Sequence, residues 1–210
     1  MIELSTAVKC PSMDTFLCTF KVFQNELQKP EVLAKYIPEE SIANDIRRFF
    51  AKIFNSNEMT EEERLQIYKE IREDTHKYIV KPQKEGGGNN YYNEEILKLL
   101  PQEGSSEITP ELKNSIIMER INPPETETLI LHENKLKIVN TISEISVYGI
   151  ILAYSCRSII NKSAGFLVRT KDVNSQEGGV IAGASAIDLP HLVDVKLENN
   201  SEPLKYWIEN

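Results

Sequence analysis

A β-branched run, Tyr78-Ile79-Val80-Lys81-Pro82, passes through Gln83-Lys84-Glu85 into Gly86-Gly87-Gly88 and Asn89-Asn90. Three glycines in a row cannot hold a strand together, so the segment reads as a strand that opens into a loop. With no Cβ in the way, successive backbone N–H groups can turn toward one anion, while Lys81 supplies counter-charge and Glu85 a magnesium ligand. A nucleotide-holding loop and a plain Gly/Asn turn both fit this pattern. A Walker loop does not, because no Gly-Lys-Ser/Thr follows, and the G-x-G-x-x-G dinucleotide spacing is absent.

A chain of 210 residues can bury a sizeable core as one large domain or two small ones. Its formal charge of −8 argues against non-specific nucleic-acid binding, so any bound anion needs a local pocket. The start, Met1-Ile2-Glu3-Leu4-Ser5, has no apolar signal region, and no apolar run reaches the ~18 residues of a membrane span. Cys10, Cys18 and Cys156, odd in number and without C-x-x-C spacing, read as buried or half-buried free thiols. A cytoplasmic protein is expected. His76, His132 and His191 lack paired-ligand spacing and offer no zinc site.

The first third has helical periodicity and the rest strand periodicity. Phe16, Phe20, Phe23 and Leu27 recur at helical spacing after Asp14, and Ile42, Ile46, Phe49, Phe50 and Ile53 do so after Ser41; both stripes are expected to be core. Thr60-Glu61-Glu62-Glu63 predicts a capping box for a helix carrying Leu65, Tyr68 and Ile71. Strands are predicted at 77–81, 115–120, 127–131, 136–144, 147–153, 158–161 and 165–169, with a short helix at 94–100 and a mobile loop at 101–111. Leu129 to Val139 predicts a hairpin around His132-Glu133-Asn134.

Two more stretches bear on a ligand. Ile116-Ile117-Met118-Glu119-Arg120-Ile121 reads either as a core strand or as one whose end lays Met118 and Ile121 against a flat base. Arg169-Thr170-Lys171 precedes Gln176-Glu177-Gly178-Gly179-Val180-Ile181-Ala182-Gly183, which reads as an anion clamp with a closing lid or as surface charges before a flexible loop.

In order, Val8-Lys9-Cys10-Pro11, the run from Lys81 to Tyr92, Met118-Glu119-x-Ile121, Ile142-Ser143-Glu144, Leu167-x-Arg169-Thr170-Lys171 and Glu177-Gly178-Gly179-Val180-x-Ala182-Gly183 resemble the eukaryotic-type glutathione synthetase family. The resemblance spans roughly residues 5 to 192, about the C-terminal half of the family's usual length. It implies an α+β chain of the ATP-grasp fold, with an antiparallel sheet lid and flanking helices, incomplete because the family's N-terminal half is absent. One domain over 1–192 and a polar tail over 193–210 are expected.

The resemblance also implies roles. Lys9 and Lys81 would contact ATP, and Glu85 would hold Mg2+ within the glycine-rich loop that includes Gly86, Gly87, Gly88, Asn89, Asn90 and Tyr92. Met118, Glu119, Arg120 and Ile121 would form the adenine-binding strand, and Glu144, Lys171 and Glu177 further nucleotide contacts. Arg169 would grip the peptide substrate, with Val180 and Ile181 lining its pocket. Ile181 departs from the family's usual alanine and puts a larger side chain there.

The implied reaction joins γ-glutamylcysteine to glycine through an acyl phosphate, with ATP converted to ADP. Such phosphoryl transfer needs neutralised phosphate charge rather than a nucleophilic serine or cysteine. The rest of the magnesium site and the homodimer contact of the family lie in the half that this sequence lacks. A truncated or split synthetase portion is therefore expected, inactive alone, against the alternative of a non-catalytic nucleotide-binding or interaction module.

Overall fold

A computed structural model describes residues 3–84, 88–132, 135–154, 157–175, 178–180 and 183–190. The chain divides into two compact units, Met1–Ile121 and Asn122–Asn210. Both contain antiparallel sheet, and among the described residues the helices belong to the first, so the chain is a mixed helix and antiparallel-sheet structure.

The first unit runs α1 (Met13–Leu17), α2 (Lys21–Gln28), α3 (Pro30–Tyr36), α4 (Glu40–Arg47), β1 (Ile53–Phe54), α5 (Glu61–Glu73), β2 (Tyr78–Pro82), β3 (Tyr91–Tyr92), α6 (Glu94–Leu97), α7 (Pro110–Lys113) and β4 (Ser115–Glu119). Its strands form one antiparallel sheet in the order β1-β4-β2-β3. The capping box at the start of α5 is present: Thr60 Oγ1 accepts from the Glu63 N–H, and the Glu63 carboxylate accepts from the Thr60 N–H. One stripe of α5, Ile67, Tyr68 and Ile71, is buried with Tyr78, Val80 and Ile117 of the sheet and with Ile96, Leu99 and Leu112. Burying each large side chain contributes roughly 1.5–3 kcal/mol.

The two N-terminal stripes are not core as expected. Phe16 and Phe20 are half-buried and meet edge to face at 5.8 Å, whereas Phe23, Ile42 and Phe49 are exposed. The buried positions of α2, α3 and α4 are Asn25, Leu33 and Ala43. Helical spacing specifies a common face; it does not specify that anything packs on it. The second stripe also breaks, because Ile53 leaves the helix to pair with Met118 in β1. Cys10 and Cys18 are free but exposed, contrary to the expected burial, and Cys156 lies outside the described residues. The segment 101–111, expected to be mobile, is tethered: Pro101 and Ser106 carbonyls accept from Arg72 and Arg64, each at 2.7 Å, and Thr109 Oγ1 donates to the Leu99 carbonyl at 2.7 Å.

The second unit is a sheet in the order β5 (Thr126–His132), β6 (Lys135–Tyr154), β7 (Arg157–Asp172) and β8 (Ala186–Asp188). The expected hairpin joins β5 to β6, with His132 opposite Lys135 and its tip, 133–134, outside the described residues. Four predicted short strands are two long ones: 136–144 and 147–153 merge in β6, and 158–161 and 165–169 merge in β7. Bulges between Tyr148 and Gly149 and between Leu152 and Ala153 absorb the irregularities that read as strand ends. Side chains tie the strands crosswise: Ser143 and Thr170 hydroxyls lie 2.8 Å apart, and Thr170 donates to the Asp188 carboxylate at 2.7 Å. Beyond Thr141, where pairing with β5 stops, the ribbon of β6 and β7 carries exposed apolar groups on successive residues, including Val147, Tyr148, Ile150 and Ile151.

Two tests of this packing follow. Tyr68 is fully buried, and its hydroxyl has no hydrogen-bond partner among the described residues. Tyr68→Phe should therefore leave thermal stability unchanged or raised, while Ile71→Ala lowers it by about 2–5 kcal/mol; a large loss in Tyr68→Phe would show that the hydroxyl is satisfied. The Tyr78 hydroxyl donates to Glu70 at 2.5 Å, and this bond, then that from Gln66, holds the Glu70 carboxyl below its ordinary 4.5. A depressed folded-state value contributes stability above 4.5 that is lost as pH falls through it. Urea denaturation against pH should show Glu70→Gln less stable at neutral pH and converging on the parent under acid; parallel curves would count against this coupling.

Candidate nucleotide site

Alternation along paired strands assigns the sheet of the first unit two faces. Tyr78, Val80, Tyr91 and Ile117 face the helical core. Ile79 pairs with both Met118 and Tyr92, and Lys81 pairs with Ile116, so Lys81, Tyr92 and Met118 share the opposite face. Three residues separated by up to 37 positions thus meet on a face that α5 does not cover. Glu119, opposite Tyr78, belongs to the helical side. The N–H groups of Glu119 and Arg120 donate to the Lys52 and Lys77 carbonyls at 2.8 and 2.9 Å and so serve the fold, while Ile121 is exposed.

After β2 the chain turns out of the sheet: the Gln83 N–H donates to the Asn114 carbonyl at 3.1 Å and the Lys84 N–H to the Pro82 carbonyl at 2.8 Å. Glu85, Gly86 and Gly87 lie outside the described residues. The chain returns at Gly88, whose φ of +79° is one that glycine alone adopts without strain. Asn90 Nδ2 then donates to the Tyr92 hydroxyl at 3.1 Å, and Asn89 beside it is half-buried. A cavity of about 290 Å³ opens here, lined by Lys81, Gln83, Lys84 and Asn90 on one side and by Thr19 and Lys21 on the other. Lys84 and Lys21 escaped the sequence reading: Lys21 belongs to no motif and stands at the start of a helix whose apolar spacing drew all the attention. Lys9 is half-buried, and its ammonium donates to the Ser5 carbonyl.

In the second unit, Glu144 stands directly opposite Arg169 and Ile142 opposite Lys171, so Glu144, Arg169 and Lys171 share one face of the β6–β7 ladder. Arg169 Nη2 pairs with Glu144, and Nη1 donates to the Gly178 carbonyl at 3.1 Å. Its Nε is buried without a hydrogen-bond partner among the described residues, a donor still to be used. A Cβ on Gly178 would rest 3.8 Å from the guanidinium, in ordinary van der Waals contact. The loop folds back on itself beyond, with the Gly183 N–H donating to the Val180 carbonyl and the Ala184 N–H to Gly179, both at 3.0 Å. Lys171 borders a further cavity of about 590 Å³ with Lys137, Asp172 and Ser175. Glu177 and Ile181 lie outside the described residues.

The donors present fit a nucleotide: among the described residues three lysines and two amide side chains line one cavity without a carboxylate, a set that suits phosphate oxygens. Among the described residues no cluster of three or more His, Cys, Asp or Glu could hold a metal ion, and Glu85 is not among those residues.

Residues 4–192 match the family model described as eukaryotic glutathione synthase, ATP binding domain. The chain is 35% identical over 196 residues to human glutathione synthetase and 34% identical over 196 residues to that of Xenopus laevis, covering 92% of this chain and 40% of each relative. It is 36% identical over 196 residues to the chloroplastic glutathione synthetase of Solanum lycopersicum, covering 92% of this chain and 34% of that protein. The chain thus spans two fifths or less of the length of these curated relatives, and its match takes in nearly the whole of the described structure, glycine-rich loop and arginine ladder together. It belongs to the family of the eukaryotic glutathione synthase ATP-binding domain.

Proposed function

We propose that this chain is the nucleotide-binding portion of an ATP-dependent ligase of the ATP-grasp fold that joins γ-glutamylcysteine to glycine. Residues 1–192 form that portion, and 193–210 a polar tail. What carries the reading is the gathering of Lys81, Tyr92 and Met118 on the sheet face opposite α5, beside a lysine-lined cavity, in a chain of this family. Lys9 and Lys81 balance phosphate charge, the glycine-rich loop from Gly86 to Asn90 offers its N–H groups to phosphate oxygens, and Lys171 is a further nucleotide contact. Met118 and Ile121 flank the base, with backbone groups of Glu119 and Arg120 at its edge. Glu85 is the magnesium ligand, and the bound metal adds charge neutralisation where the phosphoryl group transfers. Glu144 and Glu177 complete the nucleotide contacts.

The chemistry places few demands on the protein beyond charge and position. A peptide carboxylate oxygen bonds to the terminal phosphorus of ATP as ADP leaves; the glycine amine then bonds to the acyl carbon, loses a proton and releases phosphate. Arg169 holds the peptide carboxylate, using donors that otherwise serve Glu144 and Gly178. Val180 and Ile181 line the peptide pocket, and the glycine-rich turn at 178–183 excludes water that would hydrolyse the acyl phosphate. Two exposed free thiols suit a reducing compartment such as the cytoplasm.

Isothermal calorimetry should detect Mg-ATP binding to the chain, weakened about tenfold or more by Lys81→Ala, since a charge-assisted bond is worth roughly 1.5–3 kcal/mol. Equal affinities would remove Lys81 from the site. In a coupled assay of ADP release and glutathione formation, the chain alone should stay near background. Adding the unmatched portion of a related synthetase should restore turnover, and Arg169→Ala should then lower it by about 10²–10³. If nucleotide binds but no combination forms glutathione, the chain is a non-catalytic nucleotide-binding module.

A further inference from the structure

Beyond Thr141, β6 leaves β5 behind and runs on to Tyr154 paired with β7 alone among the described residues. Both bulges of this ribbon insert their extra residue in β7, at Ala164 and Ile159, so the side chains of β6 alternate without a break. Ile145, Val147 and Ile151 therefore share one face with Phe166, and Tyr148, Ile150, Leu152 and Tyr154 share the other. All of these side chains are exposed, whereas Val168, where β8 runs alongside, is buried.

A ribbon of two strands is marginal by itself, and apolar residues on both faces are the pattern of a strand enclosed between two layers. Solvent-facing edge strands are usually guarded by charge or proline, and β6 has neither from Ile145 to Tyr154. From Ile145 to Val168 the chain has no acidic residue and two cations, Arg157 and Lys162, although its formal charge is −8. The surface calls for an apolar cover edged with carboxylates.

We propose that this ribbon is the docking surface for the portion of a synthetase that the chain does not match, which clasps both of its faces. The match takes in 40% of human glutathione synthetase, so more than half of that protein lies outside it and is long enough to supply two layers. A second copy of this chain fits less well. Its ribbon brings the same two cations and no carboxylate, and a two-fold contact sets one patch against its own image. The inference rests on the reading of the chain as part of a synthetase and adds where the rest joins.

Coexpression of the tagged full chain with the unmatched portions of the human and Solanum lycopersicum proteins, followed by affinity capture, light scattering and titration, tests it. A one-to-one complex should form with at least one of them. Val147→Asp on one face and Ile150→Asp on the other should each weaken it by about tenfold or more, while Val147→Ile retains it, because a few buried anchors carry most of an interface's affinity. Both side chains are exposed in the free chain, so each variant should melt with the parent and bind Mg-ATP as the parent does. If Val147→Asp melts early, Val147→Thr, which keeps the β-branch, carries the test. Hydrogen exchange adds a readout that needs no substitution, since amides of 145–168 should gain protection in the complex. A complex of unchanged affinity in both aspartate variants, or one that leaves 145–168 unprotected, overturns the inference and leaves the synthetase reading standing. Failure of the parent to capture either portion, with Mg-ATP binding intact, overturns both. A concentration-dependent dimer of the chain alone that Val147→Asp abolishes gives the ribbon to a second copy, and full protection of 145–168 in the free monomer gives it to another segment of the same chain; either result overturns the inference.

Discussion

The packing of one stripe of α5 on one face of the β2–β4 pair is the contact on which the first unit depends. Tyr68 and Ile71 are fully buried there, and Val80 and Ile117 meet them from adjacent strands. Because side chains alternate along a strand, burying Val80 sends Lys81 to the other face, and burying Ile117 sends Met118 with it. A slip of one residue in that register would turn the lysine into the core and the valine out to solvent. The hydrophobic contact thus orients the side chains of the opposite face.

The second unit reaches a similar end by a different route. Among the described residues no helix packs in it, and cross-strand pairing sets its candidate site residues: Glu144 beside Arg169, and Lys171 two residues on. Opposite charges placed directly across a ladder hold both side chains along the sheet, and the Gly178 carbonyl fixes the second amino group of the arginine. An arginine held in this way is a preorganised fork, as the proposed grip on a ligand carboxylate requires. The hydroxyl chain from Ser143 through Thr170 to Asp188 ties β8 to the same ladder on the reverse face and so keeps the loop that follows Arg169 in reach.

Much of this was legible in the residues. The capping box at Thr60, the hairpin from Leu129 to Val139 and the strand through Lys81 depend on local chemistry, and they stand as read to within a residue at the strand's ends. So does the family, whose motifs lie along the chain in order. What failed was whatever depended on partners far away. Phe23, Ile42 and Phe49 have the spacing of a buried stripe and remain exposed, because spacing states which side chains share a face and not what covers it. Four short strands proved to be two, because bulges at Gly149 and Ala153 let pairing continue past residues that look like strand ends.

The sequence by itself determined the parts of the proposed nucleotide site: which lysines, glycines and arginine exist, and where glycines let the chain bend. These follow from local geometry, since a glycine at positive φ or a threonine at a helix start acts within a few residues of itself. The tertiary structure decided which of those parts meet. Lys21 and Lys81 come from segments with no common motif, and only the packing of α2 near the end of β2 brings them to one cavity. The opposing faces of Met118 and Glu119, adjacent in sequence, are settled by register and by the core beneath. Charge repulsion and burial act through space, so their outcome appears only when the chain has closed on itself.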